Sequence, residues 1–583
     1  MRRTARLFAV AIVTLLLGGV AVPAGADHTN PRQPLSPIVG GPAPPFITQG
    51  IGTWRFIRNF PANPGTDVKF FTKSGEIYAS SGTLGQGNEG HVGQRVIRLT
   101  DDGVVDPQWV ADHGSAHCTL GSTGVTGLQH DVAVGLNNGP RILIDATDAT
   151  GRCHDAPGGG LELVDISRLE DDAFLPKEIH LTRHAGTSHT VTVDATRPWI
   201  VYNSTSDFAG RPWIDVLDIR TCFGRSRDTL AQKREDCRPR VYRIPFQPDW
   251  SRQRHYQTGQ LTPGSEAACH DITARPGRLY CAALNATLIF DVSGITDAAG
   301  NVRGTPLTCP VVNGTNTGAT VTDCSGAGPG SPEAAGWRFL GTFNHPGREC
   351  GGGQTTCNSH LFVESDQGVS VAHEADPTND RRWMFVTDER GGGVVPPGSS
   401  CTPGIDNPYG NGGAHVFDIS DPSSIEYART PNGEKAVYIS DAIVPAGTFC
   451  DIHVMEPLPS EMRFVTAYYS QGTKIVDWEI DAAGRWTFVE VAELVLPGAN
   501  TWVVQPFKIV RHGGGMVTYY LMASDIQRGI DIFSWTGPEH RRGPSPARQA
   551  GGAGAGVDAA LAGLAIVLLP LAARFGRRRR ARA

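Results

Sequence analysis

The apolar positions of this chain fall into short β-rich runs that recur in a fixed order. A first run follows a histidine, a middle run comes next, and a third run ends in an apolar residue, an aspartate and usually another apolar residue. The middle runs are RILIDAT, PWIVYNS, GRLYCAA, RWMFVTD, RFVTAYY and MVTYYLM. The histidines are His130, His189, His270, His373 and His453. The aspartates are Asp165, Asp218, Asp291, Asp418, Asp477 and Asp531. Each repeat therefore predicts three strands separated by turns.

The spacing within a repeat excludes a helical crossover. His270 and Asp291 are 21 residues apart, which is enough for three strands and two tight turns but too short for a parallel connection. One more β-rich segment precedes the next histidine, for example EIHL, VYRIPF, WRFLGTF, AVYISDAIV or WTFVEVAEL. Four antiparallel strands per repeat predict an all-β fold, and the repetition favours the blades of a β-propeller.

Seven blades are predicted, with starts near residues 67, 130, 189, 270, 373, 453 and 505. Six or eight stay open, because the first blade lacks both the histidine and the aspartate. The spacing exceeds the roughly 40–45 residues of compact propeller repeats, and insertions at 301–335 and 391–413 explain the excess. The last repeat ends near Phe533 without an outer strand, whereas Trp54–Ile57 stands alone before the first blade. We predict that this N-terminal strand closes the last blade, since an open edge would invite aggregation.

The repeated segments carry a resemblance to a known family. LELVDIS, WIDVLDIR, TLIFDVS, AHVFDIS and TKIVDWE, with HDVAV-like starts, resemble the LVIVD repeats of secreted and surface β-propellers of bacteria, which carry varied C-terminal anchors. The similarity spans about residues 65–535. It implies a propeller at the cell surface and no particular reaction.

The two ends predict export and anchoring. Residues 1–26 have an arginine-containing start, an apolar run and the small residues Ala24-Gly25-Ala26, which together are typical of a signal peptide. An N-terminal extension (27–50), the propeller (51–536) and a Gly/Pro/Ala-rich linker (537–556) follow. Residues 557–583 contain an apolar stretch of fifteen residues (559–573), shorter than the roughly 20 of a full span, before an arginine cluster that should stay cytoplasmic. This tail is a transmembrane anchor or a sorting signal that is cut and replaced. Either version places the protein on the extracellular face of the membrane.

Composition supports this picture. With 71 Gly, 41 Pro and 19% charged residues, the chain fits many short strands joined by turns. A net charge of −6 and the lack of a basic stripe argue against nucleic acid as a partner. All 12 cysteines lie between Cys118 and Cys450, and an even number in an exported chain favours disulfides. Cys222 with Cys237, or Cys309 with Cys324, can close local loops.

The repeated histidines have two interpretations. The first strand of each blade lines the channel of a propeller, so residues at one repeat position return as a ring around the axis. Converging imidazoles suit Fe, Cu, Zn or Ni, with Asp131, Asp271 and Glu374 as neighbours that orient them. Alternatively, the histidines make hydrogen bonds that join the blades, and we favour this reading because a feature of nearly every blade usually serves the blade. Thr66 and Gln505 stand at the matching places of blades one and seven.

The remaining candidates are weaker. The aspartates of the third runs are expected to accept backbone N–H groups at the following turn. Cys153-His154-Asp155 is expected to contribute a disulfide, His113 and His117 form a possible loop ligand pair, and 404–413 (GIDNPYGNGG) is read as a turn in preference to a calcium loop. No GxSxG, P-loop or HExxH motif occurs, so no catalytic residue is assigned.

Two functions follow from the sequence. The leading hypothesis is a non-enzymatic surface module that binds a protein, a glycan or a cell-wall ligand through one face of the ring. The alternative is a metal-dependent oxidoreductase of the iron or copper type, in which the five channel histidines hold the ion.

Overall fold

The chain forms a seven-bladed β-propeller, as predicted. The computed structural model describes residues 47–61, 65–83, 93–114, 130–135, 139–147, 160–171, 176–184, 188–204, 213–224, 228–247, 269–283, 286–313, 320–328, 331–345, 369, 371–389, 412–440, 451–458 and 461–540. Each blade is an antiparallel sheet with four strands in its main ladder.

The strands follow one another in chain order. The first two are β1 (Ile47–Gly50) and β2 (Thr53–Phe60). Blade 1 holds β3 (Gly65–Lys73), β4 (Glu76–Thr83), β5 (Gly93–Asp101) and β6 (Val104–Gly114). Blade 2 holds β7 (His130–Gly135), β8 (Gly139–Thr147), β9 (Gly160–Asp165) and β10 (Lys177–Arg183). Blade 3 holds β11 (Val191–Val193), β12 (Ile200–Asn203), β13 (Trp213–Asp218) and β14 (Arg240–Pro245), with a 3-10 turn (Arg220–Phe223) and the helix α1 (Leu230–Asp236) before β14.

The remaining blades repeat this order. Blade 4 holds β15 (Asp271–Arg275), β16 (Arg278–Ala282), β17 (Ala286–Asp291) and β20 (Arg338–Asn344), with β18 (Val311–Asn313) and β19 (Thr320–Asp323) inserted before β20. Blade 5 holds β21 (Ala372–Pro377), β22 (Trp383–Asp388), β23 (Ala414–Asp418), β24 (Glu426–Tyr427) and β25 (Val437–Tyr438). Blade 6 holds β26 (Met455–Leu458), β27 (Arg463–Ala467), β28 (Thr473–Ile480) and β29 (Trp486–Val495). Blade 7 holds β30 (Thr501–His512), β31 (Met516–Asp525) and β32 (Gly529–Pro538).

The hydrophobic core lies between blades. Within the described residues, one apolar cluster fills each interface between neighbouring blades, including the interface of blade 7 with blade 1. The third strand β13, for example, is buried along its whole length because blades pack on both of its faces. Buried strands of this kind read as continuous apolar runs, which explains the LVIVD-like segments.

The ring is closed by the N-terminal strand, as predicted. β2 pairs antiparallel with β32, from Thr53 opposite Thr536 to Phe60 opposite Ile530. β1 was not predicted as a strand, and it pairs with β29 as a fifth strand of blade 6. The N-terminal segment therefore completes one blade and extends its neighbour.

The insertion between β17 and β20 covers the outer edges of two blades. Leu307 N–H donates to Val241 O on blade 3 at 2.7 Å, and β19 then pairs in parallel with β10 of blade 2. Cys309–Cys324 closes this insertion and Cys222–Cys237 closes the segment with α1, so both predicted local disulfides are confirmed. A third disulfide, Cys269–Cys281, lies in blade 4. Covered edges have no open hydrogen-bonding groups for another chain.

The aspartates of the third strands fix the turns that follow. Oδ1 of Asp165, Asp218, Asp291 and Asp418 accepts the backbone N–H two residues later, at 2.9 to 3.2 Å. Asp477 differs, because it binds Arg463 across the sheet at 3.0 Å. The assignment of Asp531 to this set was wrong: it lies near the start of β32 opposite Ala523, and its carboxylate binds Arg528.

Within the described part of the chain, no helix is both long and apolar enough to cross a membrane. The predicted signal peptide (1–26), most of the N-terminal extension, and the linker and anchor from 541 onward lie outside the described residues.

Candidate functional site

Four of the five predicted histidines lie at equivalent places at the hub. Three of them lie just before an innermost strand: His189 before β11, His270 before β15 and His453 before β26. The backbone N–H group of each donates to a carbonyl at the end of the second strand of the same blade, at 2.8 to 3.0 Å. His373 lies within β21. We call these four residues the hub histidines. His130 begins β7 opposite Asp145, but its side chain lies outside the described residues.

The hub histidines contact one another in blade order. Their ring centroids are 4.2 Å apart for His189–His270, 4.7 Å for His270–His373 and 4.1 Å for His373–His453. All four are at most 1% exposed. Side chains from successive blades touch in this way only where the blades converge, so the predicted convergence on a common axis is confirmed for these four.

Blade 7 continues the row with a tryptophan. The Trp502 ring lies 4.3 Å from that of His453, and the strand register makes Trp502 the counterpart of His270. The expectation that Gln505 fills this place was wrong, because register shifts near Thr501 and Pro506 displace the pattern. Thr66 in blade 1 is fully buried and lies within the irregular stretch of the β3–β4 pairing between Gly65 and Val68.

The blades are joined here through backbone carbonyls. Thr190 and Ser204 of blade 3 donate their hydroxyls to His270 O at 2.9 and 3.2 Å, and Thr387 of blade 5 donates to His453 O at 3.0 Å. The structural interpretation of the repeat is therefore partly correct, because these inter-blade bonds run through the backbone carbonyls of the histidines.

One carboxylate reaches the hub histidines. Glu389 follows β22, is fully buried, and places Oε2 3.7 Å from His373 Nε2 and Oε1 3.7 Å from His453 Nε2. One ligand atom each from His270, His373 and Glu389 lies within 4.8 Å of the other two. Tyr469 donates its hydroxyl to Glu389 Oε1. The sequence analysis did not identify Glu389 or Tyr469.

Tyr469 is held in an unusual backbone conformation. Its φ is +40°, in the left-handed region that an aromatic residue rarely adopts. Its carbonyl accepts N–H groups from Gly472 and from Thr501 of the next blade, both at 3.0 Å. Strain of this kind persists only where neighbours fix it, and here it directs a hydroxyl at the hub carboxylate.

Burial controls the charge of the site. It lowers the pKa of His453 to about 3, with a smaller contribution from His189. Burial and the charge of Glu389 raise the pKa of the Tyr469 hydroxyl. His453 is therefore neutral at physiological pH, which is the protonation state that binds a metal ion.

The donor set fits a transition-metal ion. Two metal–nitrogen bonds of roughly 2.1 Å at a tetrahedral angle separate the donors by about 3.4 Å, close to the 3.7 Å distances around Glu389. Neutral imidazoles with one carboxylate are the donors of non-haem iron sites, and imidazole also suits copper and zinc. The hub histidines with Glu389 thus form a candidate metal centre.

An acidic cavity of about 510 Å³ lies along the innermost strands beside the hub. Its walls include residues adjacent in sequence to the hub histidines, such as Asp271 and Glu374. Glu374 was expected to orient an imidazole, but the contact observed for its carboxylate is with the backbone. Its Oε2 accepts Met455 N–H of the next blade at 2.8 Å. Asp376 is paired with Arg275 at 2.7 Å. Burial raises the pKa of both Glu374 and Asp376. Asp376 and Asp271 raise the pKa of Glu374 further, whereas Arg275 and Lys69 oppose the rise at Asp376.

Replacing Glu456 in this cavity with Gln is expected to stabilise the protein above pH 7. Burial and then Asp376 raise the pKa of Glu456 to about 7, from an unfolded value near 4.3. The folded state therefore keeps the proton. The stabilisation from this proton is complete below about pH 4.3 and is lost as the pH rises through 7, a change of about 4 kcal/mol. Denaturant unfolding at pH 4 and pH 8 should show a Glu456→Gln advantage only at pH 8. The exposed Glu479→Gln serves as the control, and an equal gain at both pH values would contradict the assignment.

The other sequence candidates do not reach the hub. His113 lies between blades 1 and 2, where it contacts Glu162. Its proposed partner His117, the segment 153–155 and the loop 404–413 lie outside the described residues.

Comparison with known proteins adds no functional assignment. No family model matches the chain, and no curated protein matches it. Similar solved structures include Sqt1 from Chaetomium thermophilum, with 8% identity over 83% of this chain and 86% of that chain and a TM-score of 0.37. They also include the Nup170 N-terminal domain in its complex with Nup53 from the same organism (8% identity, 85% of this chain, 62% of that chain, TM-score 0.37) and the AfRom2 CNH domain (9%, 84%, 98%, 0.33). These similarities are too low to carry an argument, so the chain is defined by its own topology as a seven-bladed β-propeller with buried histidines at its hub.

Proposed function

We propose that this protein is an exported, membrane-anchored β-propeller that binds a transition-metal ion at its hub. The observation that carries the proposal is the mutual contact of four buried imidazoles from successive blades, two of which lie 3.7 Å from the carboxylate of Glu389. His270, His373 and Glu389 are the proposed ligands, with His453 and His189 completing the set. Tyr469 orients the carboxylate.

Iron or copper suits these donors best. Neutral imidazoles and a single carboxylate support one-electron redox chemistry at such an ion, which favours an oxidoreductase. Because the hub histidines are at most 1% exposed, only a small molecule or an electron would reach the ion without movement of the blades.

Export and anchoring belong to the same proposal. The signal-peptide pattern of residues 1–26 and the apolar, arginine-ended pattern of 557–583 support them. Disulfides persist mainly in oxidising compartments, and three of them lie in the described part of the chain.

Metal analysis tests the proposal. Purified ectodomain loaded with Fe(II), Cu(II) or Zn(II) and freed of excess ion should retain about one hub-bound ion per chain. The His270→Ala/His373→Ala variant should lose that equivalent, while the exposed Glu479→Gln variant should keep it. Identical metal retention in the wild type and the double variant, with both folded by circular dichroism, would refute the metal centre.

A metal-free hub would leave the surface-binding function. A groove of about 840 Å³ at the rim supports it, since ligand sites are usually concave. Gln49 and Gly50 of β1, the turn around Asn432, and Glu490 on β29 are among the residues that line this groove.

A further inference from the structure

A second buried group of titratable side chains lies between blades 1 and 2. His113 on β6 places Nε2 2.6 Å from Oε1 of Glu162 on β9. One ligand atom each from His113, Glu162 and Glu178 on β10 lies within 4.8 Å of the other two. The exposed fractions are 6%, 0% and 6%. This group shares no residue with the hub.

Asp145 points to a missing partner at the same place. It lies opposite Glu162 in the pairing of β8 with β9 and is fully buried. Neither of its carboxylate oxygens receives a hydrogen bond within 3.5 Å from the described residues. A native structure rarely leaves both oxygens of a buried carboxylate without a donor.

Three carboxylates meet one imidazole at this place. Glu178 is paired with Arg234, a half-buried side chain of α1, and Glu162 contacts His113. A buried carboxylate is costly unless a donor or a counter-charge satisfies it, so either a cation or a shared proton would complete the coordination of Asp145.

We propose that His113, Asp145, Glu162 and Glu178 bind a divalent cation that joins blade 1 to blade 2. Three carboxylates and one imidazole form an oxygen-rich donor set, which suits Mn²⁺, with Zn²⁺ as the competing ion. His113 comes from the outer strand of blade 1 and the three carboxylates come from blade 2, so the ion bridges two blades that also share an apolar cluster. The site stands whether or not the hub holds a metal.

A manganese titration tests the site. Metal-stripped ectodomain is titrated with Mn²⁺ while the electron paramagnetic resonance signal of free Mn²⁺ is followed. The wild type should bind one equivalent more than Glu162→Gln, and the affinity of Asp145→Asn should fall at least about tenfold. The exposed Glu426→Gln is the matched control and should bind as the wild type does.

The variants also separate the possible occupants. If Glu162→Gln is folded and still binds Mn²⁺ and Zn²⁺ with wild-type stoichiometry and affinity, the proposal is overturned. It is equally overturned if Asp145→Asn raises the denaturation midpoint without changing metal binding, because a shared proton then completes the group. The His270→Ala/His373→Ala variant should still bind the Mn²⁺ equivalent that Glu162→Gln loses. Failure of the hub centre would therefore be distinguishable from failure of this site.

Discussion

A chain that begins at Pro61 is expected to lose the cooperative folding of the whole propeller. The truncation removes β2, the outer strand of blade 7, and leaves the edge of β32 unpaired. Trp54 packs 5.7 Å from Phe533, and Phe60 packs 5.6 Å from Trp109 of blade 1. Truncating a buried aromatic side chain such as Phe60 costs about 3–5 kcal/mol, and the half-buried Trp54 adds to this, so the loss reaches about 5 kcal/mol, as much as many domains have in total. Denaturant unfolding followed by far-UV circular dichroism and tryptophan fluorescence measures the effect.

A chain that begins at Ile51 is the matched control. It lacks β1, which pairs with β29 but is exposed along its whole length, and it keeps β2. Its denaturation midpoint should stay near that of the full chain. If the two truncations unfolded alike, closure of the ring by β2 would not be the source of its stability.

The sequence predicted the blades because each of them repeats a local pattern. The continuous apolar third strands follow from burial on both faces, and the aspartate at their ends follows from the turn that it caps. Pairings between distant segments could not be predicted in the same way. The four residues of β1 carry no distinctive pattern, and β19 pairs with β10 only because the insertion returns along blade 3 to an open edge. Edge pairing depends on which edges the fold leaves free, and this is known only after the ring is assembled.

The residues at the hub also fall into those that the repeat predicts and those that it does not. The hub histidines precede repeated strands, so their convergence followed from the repeat itself. Trp502 was not predicted because irregularities in the pairing of β30 with β31 shift the strand register. A count of repeat spacings along the sequence does not detect such shifts. Glu389 was missed although a usable signal existed. It follows the middle strand β22, which runs antiparallel to β21, so its end returns to the start of the innermost strand, where His373 lies. Residues directly after each middle strand are therefore candidates for the hub.

This geometry gives Glu389 a role that no histidine can replace. The imidazoles are neutral donors, whereas Glu389 supplies a negative charge among buried groups, where an ion of charge +2 is otherwise uncompensated. Tyr469 in turn fixes the orientation of the carboxylate by donating its hydroxyl. Substituting either side chain should therefore lower metal affinity, and the loss should be larger for Glu389 than for Tyr469.

Glu389→Gln is expected to weaken metal binding at the hub by about a thousandfold. The substitution keeps the shape of the side chain and removes its charge, and the loss of one partner of a buried charge pair costs about 3–5 kcal/mol, equivalent to two to four powers of ten in affinity. Tyr469→Phe should lower the affinity by about 10–100-fold, the usual effect of removing a group that orients a ligand. Competition with a chelator of known affinity measures both variants, with the exposed Glu479→Gln as the control.

The double variant separates binding from folding. If Glu389 is a ligand that Tyr469 orients, adding Tyr469→Phe to Glu389→Gln should cost little further affinity, because no charged carboxylate remains to be oriented. If both single variants instead lower the denaturation midpoint equally and leave metal affinity unchanged, the hydrogen bond between them is purely structural. Glu389 would then be excluded as a ligand, and an ion at the hub would be held by neutral imidazoles alone. Such a donor set fits Cu or Zn better than iron, whose non-haem sites include a carboxylate.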